Sequence, residues 1–412
     1  MYNLTLTPEQ LEFRDTVRDF VEAEVKPAAL APKRLEPFEK PLLTDVLDKA
    51  SQMGLRALGL SEAAGGAGAD GLTACIVLEE LGAGDVDVAT VLAQTATLAP
   101  ALFDRLMTPT QRARYLAKFV SDERFHLAFA GRAPEAGLGW SYHRPLSAEA
   151  GAEPVAVRQG NEWVINGAVA FVANAPLAQL FAVQVRTDPK KSALSTLLAP
   201  REAPGLAVRE PLRAVGETIR WHHGAGAGVT FKDCRVPADH LLGKEGRSPL
   251  ADRTEHARSV PALAAVNLGL GRAAYEAAVD YAKIRRQGGR NIMEHQAIGT
   301  KLADCAIKLE LARNAIWKAA WVLDHPDAVS GRSVSDLPFH VLARVYTAEA
   351  VNDVALLAAE CFGAMGVMRD MPLQKYVHDA MVFLHSEDAD GAAKLAIAEA
   401  VAGYTRPAAD AA

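Results

Sequence analysis

Near the end of the chain, the stretch HDAMVFLHSEDADGAAKL (378–395) sets Glu387 and Asp388 between apolar runs. A carboxylate in that setting has two uses. Partly desolvated, its pKa rises toward neutrality and it can take a proton from a substrate; in a solvated turn it is one more surface charge. His222 and His223, in IRWHHGAGAG (219–228), raise a metal reading. No third ligand stands at useful spacing, and adjacent side chains point apart on most backbones, so no metal is expected and the segment reads as a substrate-side loop. Arg285, in YAKIRRQGG, is either a fork for phosphate oxygens or an exposed cation at a helix end. The four cysteines, Cys75, Cys234, Cys305 and Cys361, form no CxxC pair. Zinc and disulfide readings are therefore weak, and a reducing cytoplasm is the expected location.

The elements that must hold these groups fall into three blocks. In LTPEQLEFRDTVRDFVEAEV, Thr7 stands as an N-cap, Pro8 at the first helical position, and Leu11, Phe13, Val17, Phe20 and Val21 recur at helical spacing. Further helical patterns follow, with Gly54 as a stop signal, and GADGLTACIVLEELGAGD and VATVLAQTATLAPALFDRL are apolar around most of their circumference. From about Arg124 the pattern changes to short Val- and Phe-rich runs punctuated by Gly, Pro and Asn, and the turn at Gly160–Asn161 in VAVRQGNEWVING signals a hairpin. Beyond about Leu250 long helical patterns return, one with small residues spaced for close helix contact. The expected class is α+β: an N-terminal helical domain (1–124), an antiparallel β domain (125–245) and a C-terminal helical bundle (246–412).

Composition narrows the function. The 412 residues are half hydrophobic with a formal net charge of −6 and no basic block, which argues against a nucleic-acid partner. MYNLTLTPEQ is polar and soon amphipathic, unlike a signal peptide, and no uninterrupted apolar run reaches the length of a membrane span.

Three stretches, in this order of blocks, resemble the acyl-CoA dehydrogenase family over nearly the whole chain. YAKIRRQGGRNIMEHQAIGTKLAD (281–304) is similar to the family's YAxxRxxFGxxIxxxQAxxxxLAD helix pair and is the most specific. ECFGAMGVMRDMPLQKYVHDAMVF (360–383) resembles the Gln-x-x-Gly-Gly-x-Gly segment that runs into (Y/L)RDA, and FKDCRVPADHLLGKEG (231–246) resembles FxxVRVPxxxLLGxEG. The resemblance implies a C-terminal four-helix bundle and FAD-dependent α,β-desaturation of an acyl-CoA thioester. A carboxylate would take the α-proton, and hydride would leave Cβ for FAD. It further implies a tetramer, homo- or hetero-oligomeric, and an electron-transfer protein or other acceptor that reoxidises the flavin.

Carried over residue by residue, the resemblance makes Glu387 the base. Ser259 occupies the helix position where isovaleryl-type relatives carry theirs, so no rival carboxylate is visible in the sequence. Arg285 and Gln287 match positions that hold the FAD diphosphate across a subunit interface, and His295 and Gln296 match positions beside the adenosine half. Glu360 replaces the family's Gln, where an unpaired carboxylate would repel a diphosphate; Gly363 and Gly366 keep two glycines. The flavin-facing strands depart most. Arg132 replaces a flavin-facing Thr, Leu138 replaces a Ser that meets CoA, and Phe171-Val172-Ala173 replaces Trp-Ile-Thr, losing a hydroxyl. At the base, Asp388 and Ala389 replace Gly-Thr. These departures leave two alternatives open: a partner subunit of a hetero-oligomeric dehydrogenase, or a changed reaction on a CoA thioester, for which Arg132 would suit an acidic acyl group.

Overall fold

A computed structural model describes residues 5–35, 41–131, 154–188, 193–209, 222–251, 253–385 and 391–403. The N-terminal helices are α1 (Pro8–Phe20), α2 (Lys26–Ala29), α3 (Thr44–Gln52), α4 (Gly71–Gly84), α5 (Val86–Ala99) and α6 (Pro109–Ser121). Strands β1 (His126–Ala130), β2 (Val155–Gln159), β3 (Glu162–Ala173), β4 (Ala178–Arg186), β5 (Leu194–Pro200), β6 (Leu206–Val208), β7 (Gly226–Pro237) and β8 (Leu241–Leu242) follow. The chain then returns to helices: α7 (Arg253–Ile284), α8 (Gln296–Asp324), α9 (Asp327–Ser330), α10 (Phe339–Phe362), α11 (Leu373–His385) and α12 (Gly391–Ala402). A small hairpin, β9 (Arg286–Gln287) with β10 (Arg290–Asn291), joins α7 to α8.

Local signals act where the sequence places them. Thr7 closes a capping box with Gln10 at the head of α1, which satisfies two amide groups that a helix start leaves unpaired. Gly54, past the end of α3, takes a left-handed φ of 84°. The hairpin of β2 and β3 turns at Gly160 (φ 62°), pairing Gln159 with Glu162. The sheet runs in the order β6-β7-β3-β2-β4-β5-β8, with β1 paired to β4. It is mixed rather than wholly antiparallel as the strand pattern suggested. β1 lies parallel to β4, and β2 touches β4 in parallel at Val155 and Arg186; neither pair is consecutive in the chain, so no tight hairpin imposes an antiparallel sense.

One hydrophobic core joins both ends of the chain: Val77, Leu81 and Leu92 of α4 and α5 lie in the same buried cluster as Val266, Leu270, Ile316 and Val351 of α7, α8 and α10. A second cluster fills the sheet around Trp163, Phe181 and Phe231, and a third seats Phe103 and Phe119 against β1, β4 and β5. The helices α4 and α7 cross with their backbones in contact. A Cβ on Gly82 would stand 2.2 Å from the Val266 carbonyl oxygen, and one on Gly269 would stand 2.2 Å from that of Glu79. The crossing is clamped by buried charge. Arg272 reaches Glu80 at 2.6 Å, Arg313 reaches Glu79 at 2.8 Å, and Arg18 reaches Glu80 at 2.7 Å. Burial disfavours the Glu80 carboxylate, but the guanidiniums of Arg272 and Arg18 outweigh it and leave its pKa lowered.

Two helical segments, neither an uninterrupted apolar run, have the length and mean hydropathy of a membrane span. Val86–Leu106 and Phe339–Val367 both pass by length and composition. Scattered polar residues hide such segments from a search for uninterrupted apolar runs. Of the first window 78 % is buried inside the fold, and of the second 44 %, as befits helices that build a core.

Candidate active site

Helix α5 is the element to which the strands are keyed. Asp85 caps it, its carboxylate accepting the N–H groups of Asp87 and Val88 and a 2.8 Å bond from buried Arg34. At the second position of the helix, Asp87 accepts the N–H of Gly224 at 3.0 Å. Further along, Asn174 holds a left-handed φ of 61° at the end of β3 and donates to the Val91 carbonyl (2.9 Å) and to Thr95 Oγ1 (3.2 Å). The Thr95 hydroxyl also meets His126 Nδ1 at 3.2 Å, at the start of β1. Burial, with Arg56 assisting, lowers the His126 pKa to about 4, so the ring is neutral near pH 7. Thr95 thus pins β1 and β3 to the same helix turn.

The strand ends and the helix border an open cavity of about 210 Å³. Its strand wall is Leu127–Phe129, Gly131 and Phe171–Ala173; its helix wall is Gln94, Thr97, Leu98 and Ala101; and Glu255, His256, Ser259 and Leu263 enter from α7. Gly131 is required here by close approach, since a Cβ would stand 2.4 Å from the Phe129 ring. Of the residues singled out from sequence, the cavity brings together Phe171, Ala173 and Ser259. Ser259 spends its hydroxyl proton on the His256 carbonyl at 2.9 Å. Glu387, Asp388, Arg132 and Leu138 lie outside the described residues.

A carboxylate that sequence reasoning passed over does line the cavity. Glu255 stands one helical turn before Ser259, on the same face. It qualifies the view that Glu387 has no rival, but both Glu255 oxygens are occupied by Arg105, at 2.8 and 3.2 Å. Both oxygens are thus held in a charge-assisted pair with one guanidinium. The i−4 spacing from Ser259 was the signal that could have found it. Gln94 was missed as well, although a polar residue in a helix apolar all round is itself informative.

The remaining expected residues form a second surface, away from this cavity's lining. Gly288 and Gly289 turn the β9–β10 hairpin with φ of 62° and 83°, a two-residue loop whose left-handed positions favour glycine. It presents Arg285 and Gln287 exposed, with no side-chain hydrogen bond to the described residues, while His295 Nε2 donates to the Gln287 carbonyl at 3.0 Å. Gln296 starts α8, also exposed. Tyr281 stacks on Phe362 at 4.1 Å, which brings the end of α7 beside the end of α10, where Glu360 and Gly363 stand. Glu360 is paired to Lys301, whose pKa it raises, so the charge that would repel a diphosphate is compensated within the chain. Gly363 has φ 57° and open space where a Cβ would be.

The histidine pair is a packing feature. His223 lies 4.2 Å from the Phe383 ring, donates from Nε2 to the Asp379 carbonyl at 2.9 Å and brings Nδ1 to 3.5 Å from Asp87. It therefore ties the loop before β7 to both α5 and α11. Asp379 is buried and held by Lys375 at 2.8 Å. No group of three or more metal-ligating side chains occurs among the described residues.

Comparison with known proteins agrees with this architecture. The family profile described as "Acyl-CoA dehydrogenase, N-terminal domain" matches residues 7–123, and "Acyl-CoA dehydrogenase, C-terminal domain" matches residues 251–402. The mitochondrial isobutyryl-CoA dehydrogenase of Dictyostelium discoideum is 28 % identical over 398 residues, 95 % of this chain and 89 % of the relative. The short-chain specific acyl-CoA dehydrogenase of Clostridium acetobutylicum is 29 % identical over 387 residues, 92 % of this chain and 94 % of its own. Among solved structures, butyryl-CoA dehydrogenase from Megasphaera elsdenii superposes with a TM-score of 0.80 at 23 % identity, covering 97 % of this chain and all of that one. A glutaryl-CoA dehydrogenase complexed with glutaryl-CoA gives 0.81 at 24 % identity, with 98 % of each chain covered. At such identities the structures speak to the fold.

Proposed function

The chain belongs to the acyl-CoA dehydrogenase family, and on that premise we propose that it desaturates the α,β-bond of a short acyl-CoA thioester, with Glu387 as the base. It is an oxidoreductase with FAD as cofactor. The observation that carries the finer reading is the cavity: strand residues Phe129, Phe171 and Ala173 line one open cavity with α5 and the head of α7. The names of the relatives, isobutyryl- and short-chain specific, favour a small acyl group.

The residues present fit the cofactor. An exposed guanidinium at Arg285, the carboxamide of Gln287 and open backbone at Gly363 are donors of the kind a diphosphate takes, and Lys301 neutralises Glu360. Arg285, Gln287, His295 and Gln296 would serve the cofactor of a neighbouring copy, while Phe171 and Ala173 would flank the ring system of their own. Bound FAD supplies the acceptor for the two electrons that leave Cβ as hydride. The protein's part is to hold the thioester so that Glu387 receives the Cα proton while the electron pair forms the new double bond. Arg132, Leu138, Ser259 and Asp388 would line the substrate side. An electron-transfer protein then restores the oxidised cofactor. Exposed apolar side chains gather on the C-terminal helices, including Ile284, Ile307, Leu311 and Leu356, which suits a tetramer built through that bundle. The cytoplasm is the proposed location.

Ala173, where the resemblance calls for a hydroxyl, favours one second reading: a partner subunit that lends Arg285 and Gln287 to a paralogue. Anaerobic titration separates the two. The purified chain should be yellow and lose its flavin absorbance on addition of butyryl-CoA or isobutyryl-CoA. A colourless chain that acquires flavin only beside a co-expressed paralogue supports the second reading, and flavin that no acyl-CoA bleaches overturns both.

A further inference from the structure

The Lys301–Glu360 pair joins the second turn of α8 to the last turn of α10, beside the end of α7 that the Tyr281–Phe362 stack brings alongside. It is a surface pair: the side chains of Lys301 and Glu360 are 34 % and 57 % exposed. Pairs so exposed contribute little to stability, so holding the helices together is a weak reason for the cation. Its donors are more telling. An ammonium carries three N–H groups, and Lys301 gives a hydrogen bond to Glu360 Oε2 and to no other atom of the described residues. Two donors are left over. Glu360 fixes where they stand and, by raising the Lys301 pKa, keeps them charged. At the same helix end Gly363 leaves the approach open, with nothing within 4 Å of where a Cβ would be.

We propose that Lys301 is a direct ligand of the FAD diphosphate, and that Glu360 is the residue that positions it. This rests on the FAD reading and deepens it by adding a cation from α8 to Arg285 and Gln287. A compact charge with rotatable donors suits phosphate oxygens. The Glu360 carboxylate then serves the diphosphate indirectly, by orienting the cation that meets it. The simpler role, in which Lys301 only cancels the charge of Glu360, predicts a different response to substitution.

The test reads FAD affinity from the flavin fluorescence released when the purified holoprotein is diluted. Lys301→Met should raise the Kd for FAD at least about ten-fold, as expected for losing a hydrogen bond between charged groups. Lys301→Arg should stay within about three-fold of the wild type. The deciding comparison is made in Glu360→Gln, where no anion remains to be cancelled. There a direct ligand still matters, so Glu360→Gln/Lys301→Met should bind FAD several-fold more weakly than Glu360→Gln. Equal affinities of those two, or wild-type affinity in Lys301→Met, overturn the proposal while the FAD reading stands. A wild type that takes up no FAD overturns that reading and the proposal with it. Because the pair is exposed, the substitutions should move Tm by no more than about 3 °C, which separates a lost ligand from a lost fold.

Discussion

At the scale of single residues, two carboxylates are candidates for the base, and of the two only Glu255 lies among the described residues. Glu255 is committed to Arg105. Glu387 follows α11 by two positions, and α11 is fixed by the buried Lys375–Asp379 pair and by His223 against Phe383. The proposed role of Glu387 as base makes a direct prediction, since small displacements of a proton-abstracting group are costly in rate. Glu387→Gln should therefore retain fold and flavin yet slow flavin reduction by acyl-CoA about 10²–10⁴-fold in stopped-flow. Unchanged kinetics, with the loss appearing in Glu255→Gln instead, would move the base to α7.

Between elements, the decisive contact is the crossing of α4 and α7. Glycine is obligatory there because backbone meets backbone: a Cβ on Gly269 would also stand 2.6 Å from the Ala83 nitrogen. Neither helix can retreat without stretching the Glu79–Glu80–Arg272 clamp and moving the head of α7, which carries Glu255 and Ser259 into the cavity. Gly269→Ala should cost about 1–3 kcal/mol or more, read as a lowered denaturant midpoint with weakened flavin retention. Gly299→Ala, in the first turn of α8 with nothing nearer than 3.8 Å, is the control and should be neutral or stabilising by up to about 1 kcal/mol. Equal effects of the two substitutions would show that helix propensity rather than the crossing governs the response.

For the whole molecule, the junction of helices and sheet should govern acid stability. The His126 pKa falls from 6.5 to about 4 in the folded state, first through burial and then through Arg56. A depressed folded value means the unfolded chain takes the proton first. The stabilisation is then complete above pH 6.5 and is lost as pH falls toward 4, about 3 kcal/mol in all. His240, lowered by burial, acts in the same direction. The lowered Glu80 value adds its loss only below its ordinary 4.5. The wild type's resistance to denaturant should thus fall steeply between pH 6.5 and 4.5, and His126→Gln should flatten most of that slope; a parallel slope in the variant would exclude His126 as the cause.

Features that depend on a few neighbouring residues were legible in the sequence. The Thr7 cap, the Gly160 turn, the succession of helices, strands and helices, and the motif around Arg285 are local, because a cap or tight turn is a matter of one residue's dihedrals and its next neighbours. Resemblance added the family and a list of positions, without saying which of them meet. Tertiary structure alone decided that the first and last helices share one core, that Glu360 is neutralised by Lys301, and that Thr95 keys two strands to one helix. It also set Gln94 and Glu255, 161 positions apart in the chain, on one cavity. Burial and charge pairing are properties of through-space neighbours, and those neighbours exist only once distant segments have packed.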